Sequence, residues 1–468
     1  MPAGLLVAVL ATTEAIAADE QLGVTTPLGL DASQQRAMQA TVVSAGAVRS
    51  LELRSDRALT LLLTGGADSA PGLDTGAIRL LGLDGRRQAP ARTGIDRRVI
   101  GFDAERRAIV GTRIHLLFDT PLAAGARHRL LLPGSTPSLP VQYRRERVTG
   151  SIQASQVGYA PQARKLAFAG NWLGSAGPMP VDDERFEVVD AASGRVVLRG
   201  TAEPVAEHDP WSGNRLLLLD FSGLQGTGRY RIRMDGLGVS DDFRIAPDVY
   251  QPLYRSVFRL FFHSRNGMPI AERYADSGHA RPRGGIPSAL DGVLHPAVAT
   301  SALGCGSDGC GRRQINGGWF DAGDYGQYVP NAAPVWFSVG AALDLAPSRF
   351  GDGDLGIPES GNGIPDVLDE LDWGMRWMLG MQDTDGGVHF RIASRDWDSS
   401  LPHRVSAPRL IGARTTHGTA SFAAAAAIHA RLLRPYDTAR AKRVLAAAEA
   451  AWDFIETHPQ WPPEGQRY

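Results

Sequence analysis

Two hydrophobic periodicities divide the chain. Between about residues 40 and 246, short apolar runs are separated by clusters of Gly, Asp and Pro, a pattern typical of the strands and turns of β-sandwiches. From about residue 247 the apolar positions recur at a spacing of about 3.6 residues, which is the repeat of an amphipathic helix. The pattern therefore predicts an all-β region followed by an all-α region.

The β region is expected to form two sandwiches. The first is assigned to residues 18–150, from apolar runs at 59–63, 78–83, 114–118 and 129–132. Its sequence shows no group of residues arranged for catalysis. We therefore expect this sandwich to act as a spacer, to pack against other domains or to contact carbohydrate. The second is assigned to residues 151–246, where strands at 186–189 and 196–199 flank a turn at 190–194.

The helical region, residues 247–468, predicts five helices, at about 250–262, 328–346, 364–381, 415–433 and 437–458. Long irregular loops separate them, which suggests helices paired in a toroid with the loops forming a cleft at one end. Asp366 and Asp369 lie in the first turn of the third helix, where a carboxylate interacts favourably with the helix dipole. We therefore interpret them as helix-start residues and not as catalysts.

Composition narrows the class of protein. Hydrophobic residues make up 43% and charged residues 21% of the sequence, as in folded globular chains. The net charge of −1 argues against a nucleic-acid partner, which needs a concentrated basic face. An apolar run at 5–11, followed by Ala15 and Ala17 on either side of Ile16 as in a signal-peptidase site, predicts a signal peptide, residues 1–17, and hence a secreted or periplasmic protein. No later run reaches the length of a membrane span.

The two cysteines, Cys305 and Cys310, are close together in a Gly-rich segment. In an exported protein such a pair typically forms a small disulfide loop. The alternative is a zinc site completed by His279 and His295, although their spacing matches no standard signature. We expect no cofactor, with a structural calcium or zinc ion as the alternative.

Candidate functional residues are most concentrated at residues 317–329, which read GGWFDAGDYGQYV. Asp321 and Asp324 are three apart around Gly323, so that one can orient a water molecule while the other deprotonates it. The same pair could bind a hard cation or cap the following helix. Four aromatic residues crowd this turn, as a sugar-binding cleft requires: Trp319, Phe320, Tyr325 and Tyr328.

This segment resembles the signature at the start of the catalytic domain of glycoside hydrolase family 9. The blocks at 357–370 (IPESGNGIPDVLDE) and 381–388 (MQDTDGGV) are similar to the next block of the family's sequence. The stretch 152–246, which begins with SQVGY at 155–159, resembles the immunoglobulin-like module that precedes this catalytic domain in one branch of the family.

The resemblance implies an (α/α)6 toroid, of which about the first half is present, and catalysis with inversion of configuration. Asp324 would be the general base that activates water, and Asp321 would hold the same water. The family's general acid is a Glu far toward the end of the domain, expected beyond Tyr468. Glu456 and Glu464 do not lie in a motif like that of the acid.

Several aromatic and histidine residues are candidates for contact with substrate. From the motif we take Trp319, Phe320 and Tyr325. His389 is a further candidate for contact with substrate, although relatives often place a sugar-contacting His one position later. Trp373 and Trp377 are one helical turn apart and are expected in the core, and His417 is expected to cap or pack.

These inferences predict a hydrolase of β-1,4-glycosidic bonds in cellulose or a related β-glucan, acting as a monomer on a polysaccharide or oligosaccharide. The first alternative is an exo-acting cellodextrinase or glucosaminidase. The second is a non-catalytic glycan-binding remnant.

Overall fold

The computed structural model describes residues 43–44, 47–64, 72–102, 108–133, 138–282, 291–294, 312–315, 317–394, 401–404 and 409–460. Contacts divide the chain into two compact units, 1–250 and 251–468. The expected signal peptide, residues 1–17, lies outside the described residues. The expected domain boundaries at 150 and 246 stay predictions.

The first unit is built from nineteen strands in its described part. Those of the first sandwich are β1 Val43–Ser44, β2 Ala47–Leu53, β3 Ala58–Thr64, β4 Gly72–Leu73, β5 Arg79–Gly82, β6 Arg87–Gln88, β7 Arg92–Phe102, β8 Ala108–Leu117, β9 Arg127–Leu131 and β10 Leu139–Gln142. Those that follow are β11 Ile152–Gln153, β12 Leu166–Ala169, β13 Arg185–Asp190, β14 Val196–Thr201, β15 Glu203–Ala206, β16 Leu216–Asp220, β17 Gly228–Met234, β18 Gly238–Val239 and β19 Phe243–Ile245.

In the first sandwich, the sheet β2-β3-β8-β7 packs against the sheet β10-β9-β5-β6. Alternation along β3 and β8 directs one side chain in two toward the core. The buried residues include Leu59, Leu61, Ile114 and Leu116, which meet Leu130 of the other sheet. The opposite face of β3, β7 and β8 is therefore free to carry polar residues.

The second sandwich has the sheet β11-β12-β16-β15 opposite β14-β13-β17-β18, with β19 paired to β17. The predicted hairpin is confirmed: β13 and β14 flank a turn in which the Asp190 carboxylate accepts the N–H of Ser193 at 2.8 Å. Alternate residues of β17, such as Ile232, are buried between the two sheets.

The second unit contains α1 Gln251–His263, α2 Val329–Leu345, α3 Asp366–Gly380, α4 Thr416–Leu433 and α5 Thr438–Thr457. These bounds confirm the five predicted helices. A small sheet lies among them, ordered β21-β20-β24-β23-β22. Its strands are β20 Asp291–Leu294, β21 Arg312–Gln314, β22 Gln327–Tyr328, β23 Arg391–Ser394 and β24 Arg409–Ile411. Among the described residues, no helix is both long and apolar enough to cross a membrane.

Helices α2 to α5 bury a common core. Trp336 of α2 and Trp377 of α3 lie at its centre, and Trp377 is a core residue as predicted. The core also buries polar groups, because Trp336 donates its indole N–H to Nδ1 of His429 at 3.3 Å. The other ring nitrogen of His429 lies 3.3 Å from the Asp372 carboxylate. This chain of polar contacts joins α2, α4 and α3.

Asp366 and Asp369 start α3, as predicted, and they also hold the loop before it. The buried Asp366 carboxylate accepts N–H groups from Gly353 and Leu355 at 2.9 and 2.8 Å. Asp369 accepts both its hydrogen bonds from the amide of Asn362, each at 3.1 Å. The loop is therefore fixed to the helix by carboxylates that point away from solvent.

The stability of this region should depend on pH through Asp369. Burial raises the pKa of Asp369 to about 7, against the hydrogen bond from Asn362, and the carboxylates of Glu359, Asp366 and Asp372 add to the rise. The folded chain then binds more protons than the unfolded chain between about pH 4 and 7, so stability should fall as pH rises through that range.

We expect Asp369→Asn to flatten this dependence, measured as melting temperature between about pH 4 and 8. Asp344→Asn is the control, because Asp344 is an exposed partner of Arg431. If Asp369→Asn keeps the wild-type slope, Asp369 is ionised in the folded chain and this account of it is wrong.

Candidate active site

The segment 317–328 runs beside the residues that follow α1. Trp319 forms an antiparallel β-bridge with Arg265, and the N–H of Phe320 donates to the carbonyl of Ser264 at 2.8 Å. At its other end the segment becomes β22, which pairs with β23. The turn that carries the two candidate carboxylates is therefore held on both sides by backbone hydrogen bonds.

Gly318 permits this close approach. Its φ is +72°, a conformation that side chains with a Cβ rarely adopt. A Cβ at this position would lie 2.8 Å from Cγ of Trp377 and would also collide with the side-chain amide of Gln327. Gly318, the second glycine of the motif, is thus needed for packing against α3.

Trp319 is not placed as a substrate contact. It is only 8% exposed, and its ring packs against Phe261 and Trp336 with centroids 5.1 and 5.6 Å away. Its indole N–H donates to Glu370 at 2.7 Å. Because the segment is extended here, successive side chains alternate in direction, and Trp319 points into the core.

Arg265 is the buried centre of this arrangement. The side chain is fully buried, and its guanidinium donates to Glu370 and to Glu359, each at 3.0 Å. It also lies 4.7 Å above the ring of Trp373, which is thereby a packing residue. Burial acts to lower the pKa of Arg265, but the two carboxylates outweigh it and raise the pKa. One cation thus joins the end of α1, the loop at 359 and α3.

The motif then turns sharply. The N–H of Tyr325 donates to the carbonyl of Ala322 at 3.0 Å, and the N–H of Asp321 donates to that of Gly326 at 2.8 Å. Tyr325 has a φ of 56°, a left-handed conformation that costs about 1–2 kcal/mol for a residue with a side chain. Such strain is common where a fold presents functional groups.

The two carboxylates of the turn have different surroundings. Asp324 is half-buried and accepts the N–H of Gly326 at 3.1 Å and the hydroxyl of Tyr328 at 3.3 Å. Burial raises the pKa of Tyr328, and Asp324 raises it further, so the phenol stays protonated and able to donate. Asp321 is exposed and accepts from the amide of Asn331 at 3.3 Å. An oriented carboxylate beside an exposed one is suited to holding and deprotonating water.

Phe320 and Tyr325 lie next to these carboxylates and are both partly exposed. Their rings meet edge to face, with centroids 5.2 Å apart. The guanidinium of Arg281 lies 6.0 Å from the Phe320 ring. Burial lowers the pKa of Arg281. The proposed contact of Phe320 and Tyr325 with substrate stays a prediction that their exposure permits.

His389 lies in the core and not in a cleft. It is fully buried, with Nδ1 2.6 Å from the carbonyl of Gly412 and Nε2 3.4 Å from the carboxylate of Asp383. The β-bridge between His389 and Arg414 holds the backbone here, and the imidazole faces the core. The expected substrate contact at His389 is therefore not supported. His417 packs against Phe390, with ring centroids 6.0 Å apart, as predicted.

Cys305, Cys310 and His295 lie outside the described residues, so the expected disulfide loop stays a prediction. His279 is described, and its Nδ1 lies 2.9 Å from the carbonyl of Ser277. Within the described part of the chain, no cluster of three or more His, Cys, Asp or Glu side chains is arranged to hold a metal ion.

Sequence reasoning missed Arg265 and Glu370. A signal for Glu370 exists, because it follows Val367 by three residues and precedes Gly374 by four, on the apolar stripe of α3. A charge on an apolar stripe indicates a buried partner. No comparable signal identifies Arg265, which follows an amphipathic helix at a position where many arginines are solvated.

Comparisons with known proteins cover about two thirds of the chain. Residues 250–467 match the model of glycosyl hydrolase family 9, and residues 147–239 match the cellulase N-terminal Ig-like domain. A xyloglucan-specific endo-β-1,4-glucanase of Bacteroides ovatus is 31% identical over 66% of this chain and 50% of that protein. A cellulose 1,4-β-cellobiosidase of Acetivibrio thermocellus is 30% identical over 66% of this chain and 36% of that protein.

Among solved structures, a metagenome-derived endoglucanase of glycoside hydrolase family 9 superposes with a TM-score of 0.59 and 35% identity. The match covers 65% of this chain and 54% of that chain. The chain thus spans about half or less of the length of these relatives.

The Arg265 network gives a stability prediction. Arg265→Met leaves Glu370 charged and buried, so the free energy of unfolding should fall by about 3–5 kcal/mol, measured by denaturant unfolding. Arg431→Met, which breaks an exposed pair with Asp344, should cost less than about 1 kcal/mol.

The double variant Arg265→Met with Glu370→Gln should recover part of the loss, because no unpaired charge remains on Glu370. The account is wrong if Arg265→Met costs no more than Arg431→Met.

Substitutions at Gly318 and Gly363 distinguish the cost of a left-handed backbone from the cost of a collision between an added Cβ and Trp377. Gly318 and Gly363 both have positive φ, but a Cβ at Gly363 would meet nothing within 4 Å. Gly363→Ala should therefore cost only the conformational strain, about 1–2 kcal/mol. Gly318→Ala should cost about 1–3 kcal/mol more, because Trp377 must move. Equal losses in denaturant unfolding would show that the segment is not packed as described.

Proposed function

The chain belongs to glycosyl hydrolase family 9 through its residues 250–467, and we propose that it hydrolyses β-1,4-glycosidic bonds of a β-glucan with Asp324 as general base. The proposal draws on relatives that are named as a β-1,4-glucanase and a cellobiosidase. It also includes the completed architecture, an (α/α)6 toroid to which α1 to α5 contribute. A polymeric substrate is met outside the cell, which agrees with the export expected from residues 1–17.

One observation carries the proposal: Asp324 and Asp321 share a single strained turn with different degrees of exposure. Asp324 is oriented by the hydroxyl of Tyr328 and the N–H of Gly326, which leaves lone pairs on its oxygens for a water molecule. Asp321 is exposed on the same turn and can accept the second hydrogen of that water. The partly exposed rings of Phe320 and Tyr325 offer apolar faces for a pyranose beside it.

The proposed step is a single displacement. The water oxygen attacks the anomeric carbon from the face opposite the leaving oxygen, and its proton passes to Asp324. The glycosidic bond breaks, and the leaving oxygen takes a proton from a general acid. In inverting enzymes the base and the acid stand roughly 6.5–9.5 Å apart to admit this water. The resemblance assigns the acid to a Glu later in the family's domain.

The base can be tested separately from the acid by using β-cellobiosyl fluoride, because fluoride departs without being protonated. We expect the 468-residue chain to release fluoride from this substrate. Asp324→Asn should lower kcat by about 10²–10⁴-fold, the contribution of a general base. Fluoride release measured with an ion-selective electrode gives the rate.

Asp344→Asn is the matched control, since it changes an exposed carboxylate on α2 and should leave the rate unchanged. Cellotetraose binding, measured by calorimetry, should be similar in the wild type and in Asp324→Asn. Binding with no fluoride release by the wild type would favour the glycan-binding alternative. Full activity of Asp324→Asn would refute the assignment of the base.

A further inference from the structure

A cleft lies within the first unit, where the first sandwich meets loops of the second sandwich. Its volume is about 750 Å³. The floor is formed by β7 and β8, and one wall by the loop 208–214. None of these residues belongs to the candidate active site.

The floor is a polar row on the sheet face opposite the core. Asp96 of β7 is directly opposite Arg113 of β8, and Thr60 of β3 is opposite His115. Arg98 continues the row on β7, two residues after Asp96. A face that served only to pack against the second sandwich would be apolar. This face carries charged side chains.

The row contains an unsatisfied acceptor. Thr60 Oγ1 lies 2.9 Å from Nδ1 of His115, and Nε2 of His115 lies 2.9 Å from Oδ2 of Asp96. Asp96 is only 3% exposed, and its other oxygen, Oδ1, has no hydrogen bond and meets only the Nε of Arg98, at 3.5 Å. A buried carboxylate oxygen without a donor is costly. A ligand hydroxyl in the cleft would supply that donor.

The cleft also carries an excess of cations. Among the described residues, Arg54, Arg98 and Arg113 line it together with one carboxylate, Asp96. Nε of Arg98 lies 3.5 Å from Oδ1 of that carboxylate, whereas Arg113 forms no ion pair with another described residue. Burial lowers the pKa of Arg54, and Arg113 and Arg98 contribute to the lowering, against the carboxylates of Asp96 and of Glu52, which pairs with Arg54 at 2.5 Å. An anion bound between these guanidinium groups would relieve their repulsion.

An aromatic ring stands at the rim. Trp211 is 95% exposed, which is unusual for so large an apolar side chain. The turn that carries it is closed by Asp209, whose carboxylate accepts both the N–H and the hydroxyl of Ser212, at 2.7 and 2.6 Å. The ring is therefore presented to solvent without a large loss of loop entropy on binding.

We propose that this cleft binds a saccharide that carries a carboxylate, such as a segment of a uronic-acid polysaccharide. Trp211 stacks on the apolar face of a pyranose ring, Arg113 pairs with the carboxylate, and Oδ1 of Asp96 accepts a sugar hydroxyl. A neutral glucan would leave the guanidinium of Arg113 unpaired, so the cleft prefers the acidic sugar. This site is independent of the function proposed for Asp324.

The test is calorimetric titration of the 468-residue chain with tetragalacturonate and, separately, with cellotetraose. We expect tetragalacturonate to bind more tightly, and its affinity to fall when salt is raised to about 0.5 M. Trp211→Ala and Arg113→Gln should each weaken binding about tenfold. Trp211→Ala should not disturb folding, since the ring is exposed.

The matched controls are Trp452→Ala and Arg164→Gln, which change an exposed tryptophan of α5 and an exposed arginine paired with Asp220. Both should bind tetragalacturonate like the wild type. The proposal is overturned if tetragalacturonate does not bind, if it binds no better than cellotetraose, or if neither cleft variant weakens it. Fluoride release from β-cellobiosyl fluoride should be the same in all four variants, so a failure here leaves the hydrolase proposal untouched.

Discussion

The ion pair between Arg265 and Glu370 is the interaction on which the geometry of the candidate active site depends. The Arg265 guanidinium is fully buried and binds α3 and the loop before it, both of which are about 100 residues away in sequence. The same Glu370 accepts the indole N–H of Trp319, so the extended start of the motif is fixed to α3. A buried pair of this kind gains little net stability over apolar packing. Its value here is that it specifies one position for the turn that follows.

The turn that follows places the two candidate catalytic carboxylates, Asp321 and Asp324. Gly318 allows the backbone to pack on Trp377, and the left-handed Tyr325 then reverses the chain within a few residues. As a result Asp321 is exposed and Asp324 is half-buried on one turn, while Gly318 and Trp319 before them are buried. The strain of Tyr325 is tolerated because hydrogen bonds on both sides of the turn over-determine it.

The periodic features of the sequence predicted the helices and many of the strands, because burial of one face imposes a repeat that can be read directly. The carboxylate turn was also predictable, since glycines, aromatics and aspartates occur together there. The directions in which single side chains point were not predictable from the sequence. Trp319 and His389 were expected in the cleft, but pairing of their segments with neighbouring backbone turns each into the core. Arg265 gave no local signal, because its partners are about 100 residues away.

The central claim is that Asp324 activates a water molecule for direct displacement, and the stereochemistry of the first product tests it most directly. The measurement is a ¹H NMR time course of β-cellobiosyl fluoride hydrolysis by the 468-residue chain, recorded before the released sugar mutarotates. The account predicts that α-cellobiose appears first, because a single displacement inverts the anomeric carbon. First appearance of β-cellobiose would mean a covalent intermediate and would contradict the role assigned to Asp324.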